Sequence, residues 1–257
     1  MAIITLTTDF GMADSYVGIM KGVILGIARD VHLVDLSHDI PPQDVREAIY
    51  LLDSAAPYFP DGAIHLAVVD PGVGSGRRAL VVRTGRATYV GPDNGIFTRP
   101  LAETGAQAWE LDRPEFWLPQ VSRTFHGRDI FAPVAAYLAT GVPPAEMGRP
   151  ITNPVCLAVA ASVRAPDGAI TGQVVHVDRF GNLITDVPAA WVAGEGWQCR
   201  IAGETIRGVS RTYATASPGV LLMLIGSGDT LEIAERDGNA ARRLGVKAGE
   251  PVWVWSK

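Results

Sequence analysis

The sequence predicts an α/β fold in two parts: an N-terminal α/β domain over residues 1–150 with a mostly parallel central sheet, and a smaller β-rich domain over residues 151–257. Three observations carry that expectation. Apolar runs and helix-period patterns alternate as strand, helix, strand, helix, strand through the first 69 residues, the order that sets parallel strands side by side with helices on the sheet faces. The third strand then stops at Asp70-Pro71, where proline withdraws the N–H that a ladder needs, and Gly72, Gly74 and Gly76 follow in a loop. Beyond a Gly- and Pro-rich stretch at 141–154 the texture changes to short apolar runs separated by turns, which marks a domain boundary near residue 150.

Residues 2–7 form the first expected strand, which ends in Thr8, Asp9, Phe10 and Gly11. A helix begins near Asp14, with Val17, Met20, Ile24 and Ile27 at helical spacing on its buried face and Asp14 or Ser15 as its N-cap. Residues 31–36 read as the second strand, closed by Ser37, His38, Asp39 and the Pro41-Pro42 break. The second helix carries Val45, Ala48, Ile49, Leu52 and Ala56, and residues 64–69 make the third strand. Two more strands, 79–84 and 87–90, flank Gly85-Arg86 and lead to the turn cluster Gly91-Pro92-Asp93-Asn94-Gly95. A strand at 106–112 and a helix bearing Ile130, Val134, Tyr137 and Leu138 complete the first part, so His126 lies just ahead of a helix N-terminus. In the second part the expected strands are 170–177, 183–187, 198–201, 220–225, 231–234 and 251–255, with a short helix at 239–244.

Hydrophobic residues make up 47% of the 257, charged residues 19%, and the net charge is −5. That is enough apolar chain for a sizeable core and the wrong sign for neutralising nucleic-acid phosphates, so the expected partner is a small molecule. Cys156 and Cys199 stand far apart without metal-type spacing and read as buried free thiols in a reducing compartment. The N-terminus lacks a basic region ahead of its apolar residues and meets Asp9 too soon for a signal peptide. No run approaches the roughly 20 apolar residues of a membrane span. A cytoplasmic protein away from membranes is the resulting expectation.

Ligands of open α/β sheets bind at the carboxyl edge, where Asp9 after the first strand and Asp70 after the third come close together. Each alone also reads as a turn-capping carboxylate, His126 as a packed or capping histidine, and Asn182, in Asp178-Arg179-Phe180-Gly181-Asn182, as part of a hairpin turn. The run Gly72-Val73-Gly74-Ser75-Gly76-Arg77 looks like a phosphate cradle but lacks a Gly-Lys-Ser/Thr ending and leads into a strand, which argues against a P-loop. Asp9, Asp70 and His126 show none of the paired His or Cys spacing of a dedicated zinc or iron site, so no metal is expected.

Taken in order, the motifs are more specific. TTDFG (7–11), YVGIMKGVI (16–24), DLSHDIPPQDV (35–45), VVDPGVGSGRRAL (68–80), VGPDNG (90–95), TFHGRD (124–129), VDRFGNLITD (177–186) and LIGSGDTLEIA (224–234) resemble one family over nearly the full length. It is the S-adenosylmethionine hydroxide adenosyltransferase family, the hydrolase branch of the superfamily that also contains the fluorinase and chlorinase. The resemblance implies a β-barrel-like C-terminal domain and no cofactor. It implies a homotrimer whose active sites lie where one subunit's N-terminal domain meets a neighbour's C-terminal domain. The implied reaction is hydrolysis of S-adenosylmethionine to adenosine and L-methionine.

By the same resemblance Asp9 holds the ribose hydroxyls, and Asp70, Arg77 and His126 hold the attacking water. Phe180 and Asn182 contact adenine, Asp178 and Ser227 lie near the methionine amine and backbone, and Glu232 belongs to the same ligand-binding segment. Two positions depart from the pattern. Asp229 stands where relatives carry a glycine, and Gly228 where the halogenases carry an arginine, which leaves Arg179 or a neighbouring subunit to meet the methionine carboxylate.

These residue types suit that chemistry. The sulfonium makes C5′ electrophilic and methionine departs as a neutral thioether, so the protein has to align a nucleophile, exclude bulk water and stabilise negative character on oxygen. A halide about 4 Å from an ionised Asp70 meets repulsion on the order of 4 kcal/mol at an effective dielectric near 20, offset in part by Arg77. The halogenases resembled here carry an uncharged residue at that position. The rival readings are a module that binds S-adenosylmethionine or adenosine without turnover, a chloride-dependent transferase and a metal-dependent nucleoside hydrolase. The R-sulfonium epimer is the attractive substrate, because a housekeeping hydrolase of the S form would drain a useful cofactor.

Overall fold

The computed structural model describes residues 1–159 and 161–256. Chain contacts divide it into two compact units, Met1–Ala158 and Val159–Lys257.

The first unit runs β1 (Ala2–Thr8), α1 (Tyr16–Ile27), β2 (Val31–Ser37), α2 (Val45–Ala55), β3 (Ala63–Val68), β4 (Ala79–Arg83), β5 (Ala87–Pro92), α3 (Thr98–Leu101), β6 (Gln107–Leu111), α4 (Ala132–Ala139), α5 (Pro144–Met147) and β7 (Gly148–Ile151). Its strands form one mixed sheet in the order β2-β1-β3-β5-β4-β6-β7. β2, β1 and β3 pair in parallel through the helical crossovers α1 and α2, and β5 pairs in parallel with β3 because the intervening segment is the antiparallel strand β4. From β5 outward the pairing is antiparallel, because the loop at 72–76 forms no crossover helix and Gly85-Arg86 returns the chain as a hairpin.

Strand alternation divides the core into two layers. Ile4, Leu6, Ile64, Leu66 and Val68 pack with Met20 and Ile24 of α1 and Val134 of α4. On the other face Ala67 and Val69 meet Ala48 and Leu52 of α2. With helices on both faces β3 is buried along its whole length, each large aliphatic side chain contributing about 1.5–3 kcal/mol. Helix α2 starts where Asp44 accepts the Glu47 backbone N–H at 3.0 Å. Helix α1 starts without the expected N-cap at Asp14 or Ser15: Ser15 is already helical in backbone (φ −78°, ψ 0°) and its hydroxyl makes no cap bond. Ahead of α4 the residues Gly127–Phe131 form a π-helical turn, with His126 immediately before it. The unit extends past residue 150 because β7 pairs with β6, and the Val155 and Leu157 N–H groups then bond Asp93 Oδ1 (2.7 Å) and Thr98 Oγ1 (2.9 Å).

The second unit runs β8 (Val163–Arg164), β9 (Ile170–Val177), β10 (Leu183–Pro188), β11 (Trp197–Ile201), β12 (Glu204–Arg207), β13 (Val209–Ser210), β14 (Leu221–Ile225), β15 (Thr230–Glu235), α6 (Ala240–Leu244) and β16 (Pro251–Ser256). These strands make a curled, barrel-like sheet in the order β12-β11-β16-β9-β10-β15-β14-β13, with β8 on β9. Strand β9 pairs with β16 over residues 170–173 and with β10 over 174–177, so one strand serves both sides of the curl. Val174, Leu183, Cys199, Met223, Ile233 and Val252 fill its interior. Cys199 is buried, as the sequence suggests, whereas Cys156 is exposed because residues 152–158 run along the surface without helix or strand. No helix among the described residues is long and apolar enough to cross a membrane.

Candidate active site

Thr8 pairs with Val68, so Asp9 and Asp70 leave neighbouring strands at the same sheet edge. Pro71 ends the ladder after Asp70, and two successive turns follow, Val73 N–H to Asp70 O (3.2 Å) and Ser75 N–H to Gly72 O (3.1 Å). Gly74 is essential to this loop. Its φ is +75°, and a Cβ there would stand 2.3 Å from the Arg123 carbonyl oxygen, so only glycine lets the loop lie against the segment that carries His126.

The loop thereby returns Arg77 to Asp70. Arg77 Nε donates to both carboxylate oxygens, at 2.9 and 3.0 Å, and Nη2 bonds Oδ2 as well. Nη2 also reaches His126 Nδ1 at 2.8 Å, and the guanidinium lies over the Phe131 ring, 5.2 Å from its centroid. The Asp70 and Arg77 side chains are only 5% and 10% exposed, so this is a buried charge pair with a histidine attached. A guanidinium only donates, which makes His126 Nδ1 the acceptor and puts the neutral ring's proton on Nε2. Protonating Nδ1 would set N–H against N–H. Accordingly burial, and then the Arg77 charge, hold the imidazole below its ordinary value, against the opposing pull of Asp70 and Asp129.

Asp9 is not bonded to these three. Its Oδ2 accepts the Gln43 backbone N–H at 2.8 Å, and Gln43 takes the left-handed conformation (φ +69°) to offer it. Phe10 beside Asp9 and Phe125 beside His126 meet edge-on at 5.8 Å, which ties the two loops together.

The second unit carries the other predicted residues. Between β9 and β10, Asp178 Oδ1 accepts the backbone N–H groups of Phe180 (2.9 Å) and Asn182 (2.8 Å), and Oδ2 accepts Asn182 Nδ2 (2.9 Å). Asp178 is therefore the organiser of a hairpin that leaves Phe180 74% exposed. Gly181 is needed at the turn, with φ +87° and the Asn239 side chain where a Cβ would go. Glu232 is buried on β15, where its Oε1 accepts the Tyr213 hydroxyl at 2.5 Å. Burial pushes the Glu232 carboxyl above its ordinary value and the Asp178 charge adds to that, although the Tyr213 bond opposes it. Ser227 is exposed in the turn before β15. Asp229 in that turn sits at φ +54°, a left-handed conformation that favours glycine, and a Cβ added to Gly228 would enter open space.

Sequence reasoning passed over three participants. Gln43, Tyr213 and the buried Asp129 beside His126 lie in stretches without apolar period; Gln43, inside DLSHDIPPQDV, and Asp129, inside TFHGRD, stood in motifs without a role, and Tyr213 stood in none.

Residues 4–148 match the model of the SAM hydroxide adenosyltransferase N-terminal domain, and residues 172–253 match that of the C-terminal domain. A Thermus thermophilus protein named (R)-S-adenosyl-L-methionine hydrolase is 42% identical over 254 residues, spanning 95% of this chain and 96% of that one. One of the same name from Salinispora arenicola is 37% identical, spanning 98% and 97%. The solved structure of an uncharacterized conserved protein from Thermotoga maritima superposes with a TM-score of 0.91 at 33% identity, covering 98% of this chain and 99% of that one. Both halves of the sequence are matched in order, and the chain belongs to the SAM hydroxide adenosyltransferase family.

Proposed function

We propose that this protein hydrolyses S-adenosyl-L-methionine, as its R-sulfonium epimer, to adenosine and L-methionine by in-line attack of water on C5′. The observation that carries the reading is the Arg77 bridge, which joins a buried carboxylate and a half-buried imidazole from separate loops into one group at the sheet edge. The names of the relatives from Thermus thermophilus and Salinispora arenicola support the substrate and the epimer.

In this mechanism Asp70 uses lone pairs left over from Arg77 to accept a water hydrogen. The water oxygen forms its bond to C5′ as the C5′–S bond breaks, the electron pair goes to sulfur, and the released proton passes to Asp70 and on to solvent. Arg77 stabilises the growing negative character of the oxygen, and His126 holds the guanidinium in place through Nδ1. Asp9 is the acceptor for the ribose hydroxyls, with one oxygen already anchored by Gln43. Phe180 stacks on adenine and Asn182 pairs with its edge; Asp178, Ser227 and Glu232 serve the methionine end.

The close Arg77–Asp70 pairing changes the expected reason for rejecting halide. The guanidinium cancels much of the carboxylate's charge, so bare repulsion shrinks to a weaker dipolar effect. What favours water is that Asp70 offers a proton acceptor, for which halide has no use. The proposal includes a homotrimer in the cytoplasm, which sedimentation and fractionation check. Its main test is to incubate the protein with each resolved epimer and separate the products. Adenosine and methionine, formed faster from the R epimer, are expected; intact substrate after prolonged incubation, or 5′-chloro-5′-deoxyadenosine in chloride buffer, contradicts the reading.

A further inference from the structure

Asp129 is completely buried, yet its carboxylate touches none of Asp70, Arg77 or the His126 ring nitrogens. Its bonds go to the turn instead. Oδ2 accepts the Ser122 backbone N–H at 2.8 Å, the Ser122 hydroxyl at 2.7 Å and Arg128 Nη2 at 3.1 Å, and Oδ1 accepts Arg128 Nε at 2.5 Å. The Ser122 Oγ in turn accepts the Phe125 N–H at 3.0 Å, and the Phe125 carbonyl accepts the N–H groups of Arg128 and Asp129, both at 3.1 Å. The Asp129 carbonyl takes the Leu118 N–H at 2.9 Å. Residues 122–129 are thus closed at both ends around His126. Gly74 of the loop at 72–76 lies against the Arg123 carbonyl, where a Cβ would have no room, so the segment also supports the loop that delivers Arg77.

We propose that Asp129 is a positioning residue for the reaction: by clamping Ser122 it fixes the turn that aims His126 Nδ1 at Arg77. The inference rests on the reading of His126 as part of the water-holding group. A buried carboxylate is a costly way to brace a loop, and here the cost is met by four hydrogen bonds, two from a guanidinium. The charged groups acting on the His126 imidazole are Arg77, Asp70 and Asp129, and the Ser122 backbone faces it as a hydrogen-bonding group. Arg128 faces away into its pair with Asp129 and over the Phe125 ring. Asp129 therefore acts on His126 in two ways, through geometry and through its negative charge, which favours the protonated ring.

The test compares Asp129→Asn, Ser122→Ala and Ser122→Thr in the full-length protein, with folding checked by thermal melts. Two quantities are read: the 15N imidazole shifts of His126 against pH, and kcat and KM for adenosine release. In Asp129→Asn the His126 titration moves to lower pH and kcat drops about 100-fold with KM little changed, the loss expected from a misplacement of about 1 Å. Ser122→Ala lowers kcat in the same way, and Ser122→Thr, which keeps the hydroxyl, restores it. If Asp129→Asn does not fold, the two Ser122 variants decide the matter by the same readouts. An unmoved His126 titration with unchanged kcat in folded variants overturns the inference. The imidazole shifts of the Ser122 variants, which keep the Asp129 charge, need no turnover, so they judge the clamp even if His126→Ala leaves adenosine release intact and thereby removes His126 from the mechanism.

Discussion

Arg77→Met separates the charge of Arg77 from its bulk. Methionine keeps an unbranched stem against the Phe131 ring but removes every donor to Asp70 and His126. The Asp70 side chain, 5% exposed, is then a buried carboxylate without its cation. Removing one partner of such a pair costs about 3–5 kcal/mol. The carboxylate escapes part of that by taking up a proton, which for an ordinary aspartate costs about 4 kcal/mol at pH 7 and about 1.5 kcal/mol at pH 5. The loss of stability is therefore capped at about 4 kcal/mol at pH 7 and shrinks to about 1.5 kcal/mol at pH 5. Adding Asp70→Asn to Arg77→Met restores most of the pH 7 loss, since no charge remains to be stranded. Urea denaturation of the four chains of this double-mutant cycle at both pH values measures each quantity, with an interaction energy of at least about 2 kcal/mol expected at pH 7. A deficit under about 0.5 kcal/mol, or one of equal size at both pH values, refutes the description of Asp70 and Arg77 as a buried, mutually dependent pair.

Three further outcomes follow from the same geometry. Asp70→Asn and His126→Ala each lower kcat for adenosine release by about 100-fold or more while calorimetry finds adenosine affinity nearly unchanged; undiminished release in both would exclude the group from the chemistry. Phe180→Ala weakens adenosine binding by about 1–3 kcal/mol but shifts stability by less than about 0.5 kcal/mol, because the ring is mostly exposed; unaltered adenosine affinity would show that Phe180 does not stack on the base. His65 is fully buried, bonded to Thr5 Oγ1 at 2.8 Å and stacked on Tyr89, and burial depresses its pKa from 6.5 to about 4. The unfolded chain then takes the proton first, so stability is flat above pH 6.5 and falls by about 3 kcal/mol as the pH drops toward 4. His65→Gln removes that component from urea titrations, and an unchanged slope would contradict it.

The parallel half of the first sheet was legible because each strand of the series shows an apolar run ended by a breaker. Asp70-Pro71 is the clearest case, where one covalent ring both stops β3 and leaves a carboxylate just beyond its end. The hairpin at 178–182 was legible as a turn, although its cause, the threefold acceptance by Asp178, was not. Local pattern has no access to contacts that close through space. The Arg77 bond to His126 spans 49 positions, and the Tyr213 bond to Glu232 spans 19 from a loop with no periodic signal. The failed N-cap at Ser15 shows the same limit, since a suitable side chain cannot cap from a helical backbone. β8, β12 and β13, two to four residues each, are too short for alternation to register, and their pairing is imposed by the curl of the barrel-like sheet. The fold class needs only composition and period, whereas the chemistry of Asp70, Arg77 and His126 depended on recognising collinear motifs.

The central claim is that Asp70, Arg77 and His126 direct a solvent oxygen onto C5′. Turnover of S-adenosylmethionine in water enriched in 18O, followed by mass spectrometry of the products, tests it directly. One labelled oxygen in the 5′-hydroxyl of adenosine and none in methionine is the predicted result, with the amount of labelled adenosine formed per unit time falling in step with kcat in Asp70→Asn. Adenosine released without label, or a product carrying chloride at C5′, would contradict the account.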